Sequence, residues 1–119
     1  MKPTDSEWSV LEILWNGDSF SLSEVTHALE PVNQWSKNTV HTYLTRMEKK
    51  GLVAIDRNLT KPYSAKVSRE DCARKERKEL LNRVYGGHTG NLIAAFLKES
   101  PISHEEADQL RKLLDDMEV

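Results

Sequence analysis

The chain has 119 residues, 38% hydrophobic and 30% charged, which suits one globular domain or a small domain with an appendage. No apolar run approaches the roughly 18 residues that span a bilayer, and the acidic start MKPTDSEWSV lacks the basic-then-apolar order of a secretory leader, so a cytoplasmic protein without membrane insertion is expected. One cysteine, Cys72, can make neither an internal disulfide nor, alone, a metal site, and the net charge of −2 argues against indiscriminate sticking to polyanions.

Thr4 and Glu7 have capping-box spacing, and Trp8, Leu11, Ile13, Leu14 and Trp15 supply the apolar face of a first helix. Asn16-Gly17-Asp18 ends it as a turn. Ser21 and Glu24 repeat the capping box and start a short second helix carrying Leu22, Val25, Ala28 and Leu29, which Pro31 is expected to stop. Ser36 caps a third helix that Gly51 closes. Within it Val40, Tyr43, Leu44 and Met47 recur at helical spacing as one buried stripe. Helix, short helix, turn and helix is the order of a helix-turn-helix unit. Leu52-Val53-Ala54-Ile55 and Tyr63-Ser64-Ala65-Lys66-Val67 then read as two strands joined by the polar loop 57–62, the form of a wing. The core of this unit includes Trp8, Trp15 and Tyr43.

From Ser68 onward the pattern is helical again. One helix runs towards Tyr85 and includes Leu80, Leu81 and Val84; Gly86-Gly87 breaks it as a helix–helix hinge. A shorter helix carries Leu92, Ile93, Phe96 and Leu97. Ser100-Pro101 ends that one, and Ser103 with Glu106 caps a last helix bearing Leu110, Leu113 and Leu114. Three short amphipathic helices with no strand bury too little apolar surface alone. They make sense if two copies clasp each other. The expected division is a winged-helix domain over 1–67 and a helical dimerisation domain over 68–119, mainly α with a small β-hairpin.

Charge is unevenly spread. Residues 1–34 hold one lysine against six acids, whereas residues 35–66 hold seven basic groups against two acids. The third helix presents Asn38, Thr42, Thr45 and Lys49 opposite its apolar stripe, with His41 and Arg46 on the shoulders. An ordinary solvated face mixes Glu with Lys at i,i+4 spacing; this one has no acid. Short amide and hydroxyl groups ringed by cations suit a groove lined with acceptors and phosphates. Asn38, His41, Thr42 and Thr45 are candidates for base edges in the major groove. Lys37, Arg46 and Lys49 are placed to grip phosphates, Ser36 opens the helix beside them, and Arg57 and Lys61 can reach a neighbouring backbone from the wing.

Catalysis finds no support. The histidines His27, His41, His88 and His104 lack metal-ligand spacing, and neither a nucleophile elbow nor a phosphate-binding loop is present. No enzyme, cofactor or metal is expected, and Cys72 reads as a buried structural thiol.

TDSEWSVLEILW at 4–15, WSKNTVHTYLTRMEKKGLV at 35–53 and YGGHTGNLIAAFL at 85–97 resemble the penicillinase-repressor family (BlaI/MecI type), in its order and spacing. The resemblance implies an N-terminal winged helix, a C-terminal homodimerisation domain, and repression of transcription from a palindromic operator with TACA/TGTA-type half-sites. The matching recognition-helix positions are Asn38, Thr39, His41, Thr42 and Arg46; Thr39 comes from the resemblance alone. Copper-responsive relatives carry paired Cys-x-Cys motifs near the C-terminus, and this chain has none. Antibiotic-responsive members are released when a membrane sensor pathway causes cleavage at an Asn-Phe bond, where this chain has Ala95-Phe96. The competing readings are a winged-helix module that binds a protein partner, and a repressor released by a small ligand in the dimer cleft.

Overall fold

The structure is a computed structural model and describes residues 2–117. The element order is α1 Asp5–Leu14, α2 Leu22–Asn33, α3 Lys37–Lys49, β1 Val53–Ile55, β2 Tyr63–Ala65, α4 Arg69–Tyr85, α5 Thr89–Glu99 and α6 His104–Asp116. The fold is mainly helical, with one two-stranded antiparallel hairpin in which Val53 faces Ala65 and Ile55 faces Tyr63. It divides into two compact units, 1–77 and 78–119.

Local chemistry accounts for most helix starts. Thr4 and Ser21 each close a full capping box with Glu7 and Glu24. Ser36 accepts the Thr39 amide at 3.2 Å, and Ser68 accepts that of Asp71 at 3.0 Å. Each satisfies a backbone donor that the first turn would otherwise leave unpaired. The end of α3 is equally local. Gly51 has φ +79°, which an L side chain rarely adopts. Its N–H bonds the Glu48 carbonyl at 3.0 Å while Leu52 N–H reaches back to Met47 at 2.9 Å. This double bond is a Schellman motif, and Leu52 and Met47 are both buried.

Pro31 does not stop α2. The helix runs two residues further, to Asn33, and ends with Gln34 in the left-handed region at φ 53°. Proline cannot donate to the carbonyl four residues back, but in the last turn this removes a single bond. The Asn33 side chain then accepts the Trp35 amide at 3.1 Å, which fixes the short turn into α3.

In the first unit, Val10, Leu11 and Leu14 of α1 meet Val25 and Leu29 of α2, Val40, Leu44 and Met47 of α3, and Leu52, Val53, Tyr63 and Cys72 in one core. Trp8 and Trp15 are partly buried against this core, meeting edge-on with ring centroids 5.4 Å apart. Tyr43 is partly exposed and stacks on Trp35 at 4.2 Å. Trp8, Trp15 and Tyr43 therefore stand at the rim of the core. Their polar ends need partners or water; Trp15 Nε1, for example, donates to the Val67 carbonyl at 2.9 Å. Burial of Cys72 pushes its thiol up from the ordinary range, which leaves it unreactive.

One strand-like contact has little sequence signal. Phe20 and Tyr63 exchange backbone hydrogen bonds of 2.8 and 3.0 Å across an isolated antiparallel bridge. The wing is thereby stitched to the segment before α2.

The second unit is built differently. Gly86 and Gly87 have φ of 57° and 84° and turn the chain between α4 and α5, while Ser103 and Glu106 box the start of α6. Yet no residue from Lys78 to Met117 is buried. Val84, Ile93, Phe96, Leu97, Leu110, Leu113 and Leu114 are all exposed; Leu80, Leu81 and Leu92 are only partly covered. Ala95 and Phe96 lie inside α5, so a protease cutting between them needs that helix to unwind.

Candidate nucleic-acid interface

The outer face of α3 is set by what its inner face buries. Val40, Leu44 and Met47 have no exposed surface and pack towards α2 and β1. At 100° per residue this directs Lys37, Asn38, His41, Thr42, Arg46 and Lys49 to solvent, all exposed, with Thr39 and Thr45 half-buried beside them. Ser36 is exposed but occupied: its Oγ accepts the Thr39 amide and lies 3.0 Å from the Thr39 hydroxyl. Ser36 and Thr39 thus shape the start of the helix.

The two outer threonines turn their hydroxyls back onto the helix. Thr42 Oγ1 donates to the Asn38 carbonyl and Thr45 Oγ1 to the His41 carbonyl, each at 3.0 Å.

The cations fall into two groups. On the helix, Lys37, Arg46 and Lys49 make no ion pair among the described residues. On the wing, both cations are engaged. Arg57 forks onto both Glu48 carboxylate oxygens at 3.3 Å, and Lys61 reaches Glu24 at 3.1 Å. These pairs are solvent-exposed and contribute little to stability, but they draw the wing against α3 and the start of α2. A polyanion arriving at Arg57 or Lys61 must compete with a carboxylate; at Lys37, Arg46 or Lys49 it competes only with water and counterions.

Beside the helix, Thr4, Glu7, Tyr43, Arg46, Lys49 and Lys50 line an open cleft of about 440 Å³. At its floor Glu7, 5% exposed, receives Lys50 Nζ at 2.6 Å and the Thr4 amide at 2.9 Å on the same oxygen, Oε1. Burial by itself raises the Glu7 pKa, but the Lys50 and Thr4 hydrogen bonds outweigh it and hold the carboxyl below the ordinary range. This pair ties the start of α1 to the end of α3. One half of it was visible beforehand: Glu7 stands on the same helical stripe as Val10, Leu11 and Leu14, and a carboxylate on a core stripe needs a partner. The partner lies 43 residues away, and nothing local marks it.

A second cluster pins the root of α4. Arg69 forks onto both oxygens of Glu12, stands over the Trp15 ring at 4.8 Å, and Trp8 Nε1 donates to the same Glu12 at 2.9 Å. The Arg69 hydrogen bond lowers the Glu12 pKa. No group of three or more metal-ligating side chains occurs among the described residues, and no described helix is long and apolar enough to cross a membrane.

Residues 3–116 match the penicillinase repressor family. The chain is 29% identical over 113 residues to the penicillinase repressor of Staphylococcus aureus, covering 94% of this chain and 90% of that protein. It is 31% identical over 114 residues to the methicillin resistance regulatory protein MecI of Mammaliicoccus sciuri, covering 93% and 91%. To the penicillinase repressor of Bacillus licheniformis it is 27% identical over 114 residues, covering 95% and 89%.

Proposed function

This chain belongs to the penicillinase repressor family and is a transcriptional repressor; from that premise we propose that it works as a homodimer on a palindromic operator in double-stranded DNA. The carrying observation is the outer face of α3, where Lys37, Arg46 and Lys49 stand unpaired among the described residues around Asn38, His41 and Thr42. Those cations grip phosphates and set the register; Asn38, His41, Thr42 and Thr45 meet base edges in the major groove. Ser36 and Thr39 order the first turn, and Arg57 and Lys61 reach the flanking backbone once released from Glu48 and Glu24.

Residues 1–67 carry the reading function and residues 68–119 the dimerisation function. The support for dimerisation is physical: amphipathic helices whose large apolar side chains stay exposed need a cover, and a closed two-fold pair supplies the same face to both copies. One winged helix per half-site then reads a TACA/TGTA-type palindrome. Two linked contacts hold the operator far more tightly than one, so anything that separates the copies derepresses. Cleavage by a protease at Ala95–Phe96 is one such event.

The test is a gel-shift titration against the palindrome and against a scrambled duplex of equal length at two salt concentrations. Preference for the palindrome, with affinity falling steeply as salt rises, is expected. Equal affinity for both duplexes sinks the operator reading, and no binding at low salt favours a protein partner for α3.

A further inference from the structure

Thr42 and Thr45 sit on the outer face of α3, one exposed and one half-buried. A threonine offers a base pair two different things. Its hydroxyl can donate to an acceptor such as guanine O6 or N7, and its methyl can pack against the C5-methyl of thymine. In this helix the first option is already spent. The single hydroxyl proton of Thr42 goes to the Asn38 carbonyl and that of Thr45 to the His41 carbonyl, at 3.0 Å in each case. Such back-bonding fixes χ1 and leaves the methyl group outside the hydrogen bond. Thr26 makes the same bond to Leu22 on α2, so the bond alone carries no message. What distinguishes Thr42 and Thr45 is their place between Asn38, His41 and Arg46 on the acid-free face.

From this we infer that Thr42 and Thr45 read thymine through their methyl groups, and that the specificity of α3 at those positions is apolar. The inference rests on the operator reading above and names the chemical group that reading recognises. Asn38, whose amide is not tied back, remains the side chain suited to bidentate contact with adenine. The division suits half-sites made mostly of A·T pairs, since a thymine methyl is the feature that distinguishes T·A from its neighbours in the major groove without a donor.

Uracil deletes only that methyl. Each thymine of one TACA/TGTA half-site is replaced in turn by uracil, on either strand, and operator affinity is measured for the full-length protein and for Thr42→Ser, Thr42→Val, Thr45→Ser and Thr45→Val. At the thymine that Thr42 touches, the wild-type protein should lose about fourfold, the worth of burying roughly one methyl group. Thr42→Ser, which keeps the hydroxyl and lacks the methyl, should no longer respond to that uracil. Thr42→Val keeps the methyl without the hydroxyl and should retain the penalty; the Thr45 pair should behave alike at a second thymine. The inference is overturned if uracil is harmless at every position, or if the serine variants keep the full penalty while the valine variants lose it. Failure of the wild-type protein to prefer the thymine palindrome would instead remove the operator reading, and this inference with it.

Discussion

Leu14 and Leu114 occupy comparable helices, and their fates are opposite. Both α1 and α6 open with a full capping box and carry an apolar stripe. Leu14 is 1% exposed, Leu114 55%. Amphipathic pattern states that a face is to be covered, and says nothing of what covers it. In the first unit the cover is local in space: three helices and a hairpin close on one another. In the second, no described residue is buried, and Val84 of α4, Phe96 of α5 and Leu113 of α6 stay more than half exposed. A chain built this way has one unit that closes its own core and a second whose apolar faces are left open.

Substitutions in each unit break or sharpen that contrast. All three tryptophans, Trp8, Trp15 and Trp35, lie in the first unit, so their fluorescence reports that unit alone. Replacing Leu113 and Leu114 together with Glu should convert dimer to monomer by sedimentation and weaken operator binding by about 100-fold or more, with the tryptophan transition left in place. A persistent dimer would show that the α6 leucines do not hold the two copies together.

Next in size, Leu44→Ala should cost the first unit about 2–5 kcal/mol in denaturant unfolding followed by tryptophan. A change much smaller than that would mean the core is less closely packed than its zero exposure indicates.

Lys50→Met takes the counter-ion from a nearly buried carboxylate and leaves it only the Thr4 hydrogen bond; it should cost about 3 kcal/mol, moderated because the Lys50 side chain is 24% exposed. The Glu7 pKa is lowered in the folded chain. Its contribution is therefore present above the ordinary carboxylate pKa of about 4.3 and is lost as pH falls through the lower folded value. Unfolding curves collected from pH 7 down to pH 3 should show this loss in the wild-type protein and a shallower acid limb in Glu7→Gln. Identical acid limbs would remove Glu7 from the account.

The smallest effects compare two caps. Ser36→Ala should destabilise the first unit by about 1 kcal/mol. Ser103→Ala should reduce far-UV helicity of the arm and leave the tryptophan transition where it was. If it shifts that transition, the two units do not unfold independently.

The candidate site was legible in outline because its signals are periodic. A stripe of Val40, Leu44 and Met47 necessarily turns Asn38, Thr42 and Lys49 outward, whatever the neighbours do. Tyr43 was assigned to the core by the same period and lies at the rim, because a large ring at the edge of a stripe stacks on Trp35 sooner than it is enclosed. Pro31 was expected to end α2, and the loss of one hydrogen bond in a final turn proved too small to do so.

What the chain determined by itself is everything that depends on residues within a few positions of one another: the caps at Thr4, Ser21, Ser36 and Ser103, the glycine exit at Gly51, the helical stripes and the acid-free face of α3. These rest on hydrogen bonds and dihedral preferences that a short segment satisfies alone. Tertiary structure alone decided which charges are spent and which are free. Glu7 meets Lys50, Arg57 meets Glu48, Lys61 meets Glu24 and Arg69 meets Glu12, leaving Lys37, Arg46 and Lys49 unpaired among the described residues. Such partnerships, like the Phe20–Tyr63 bridge, are made by packing distant segments together, and one ion pair is worth too little to mark its sequence in advance.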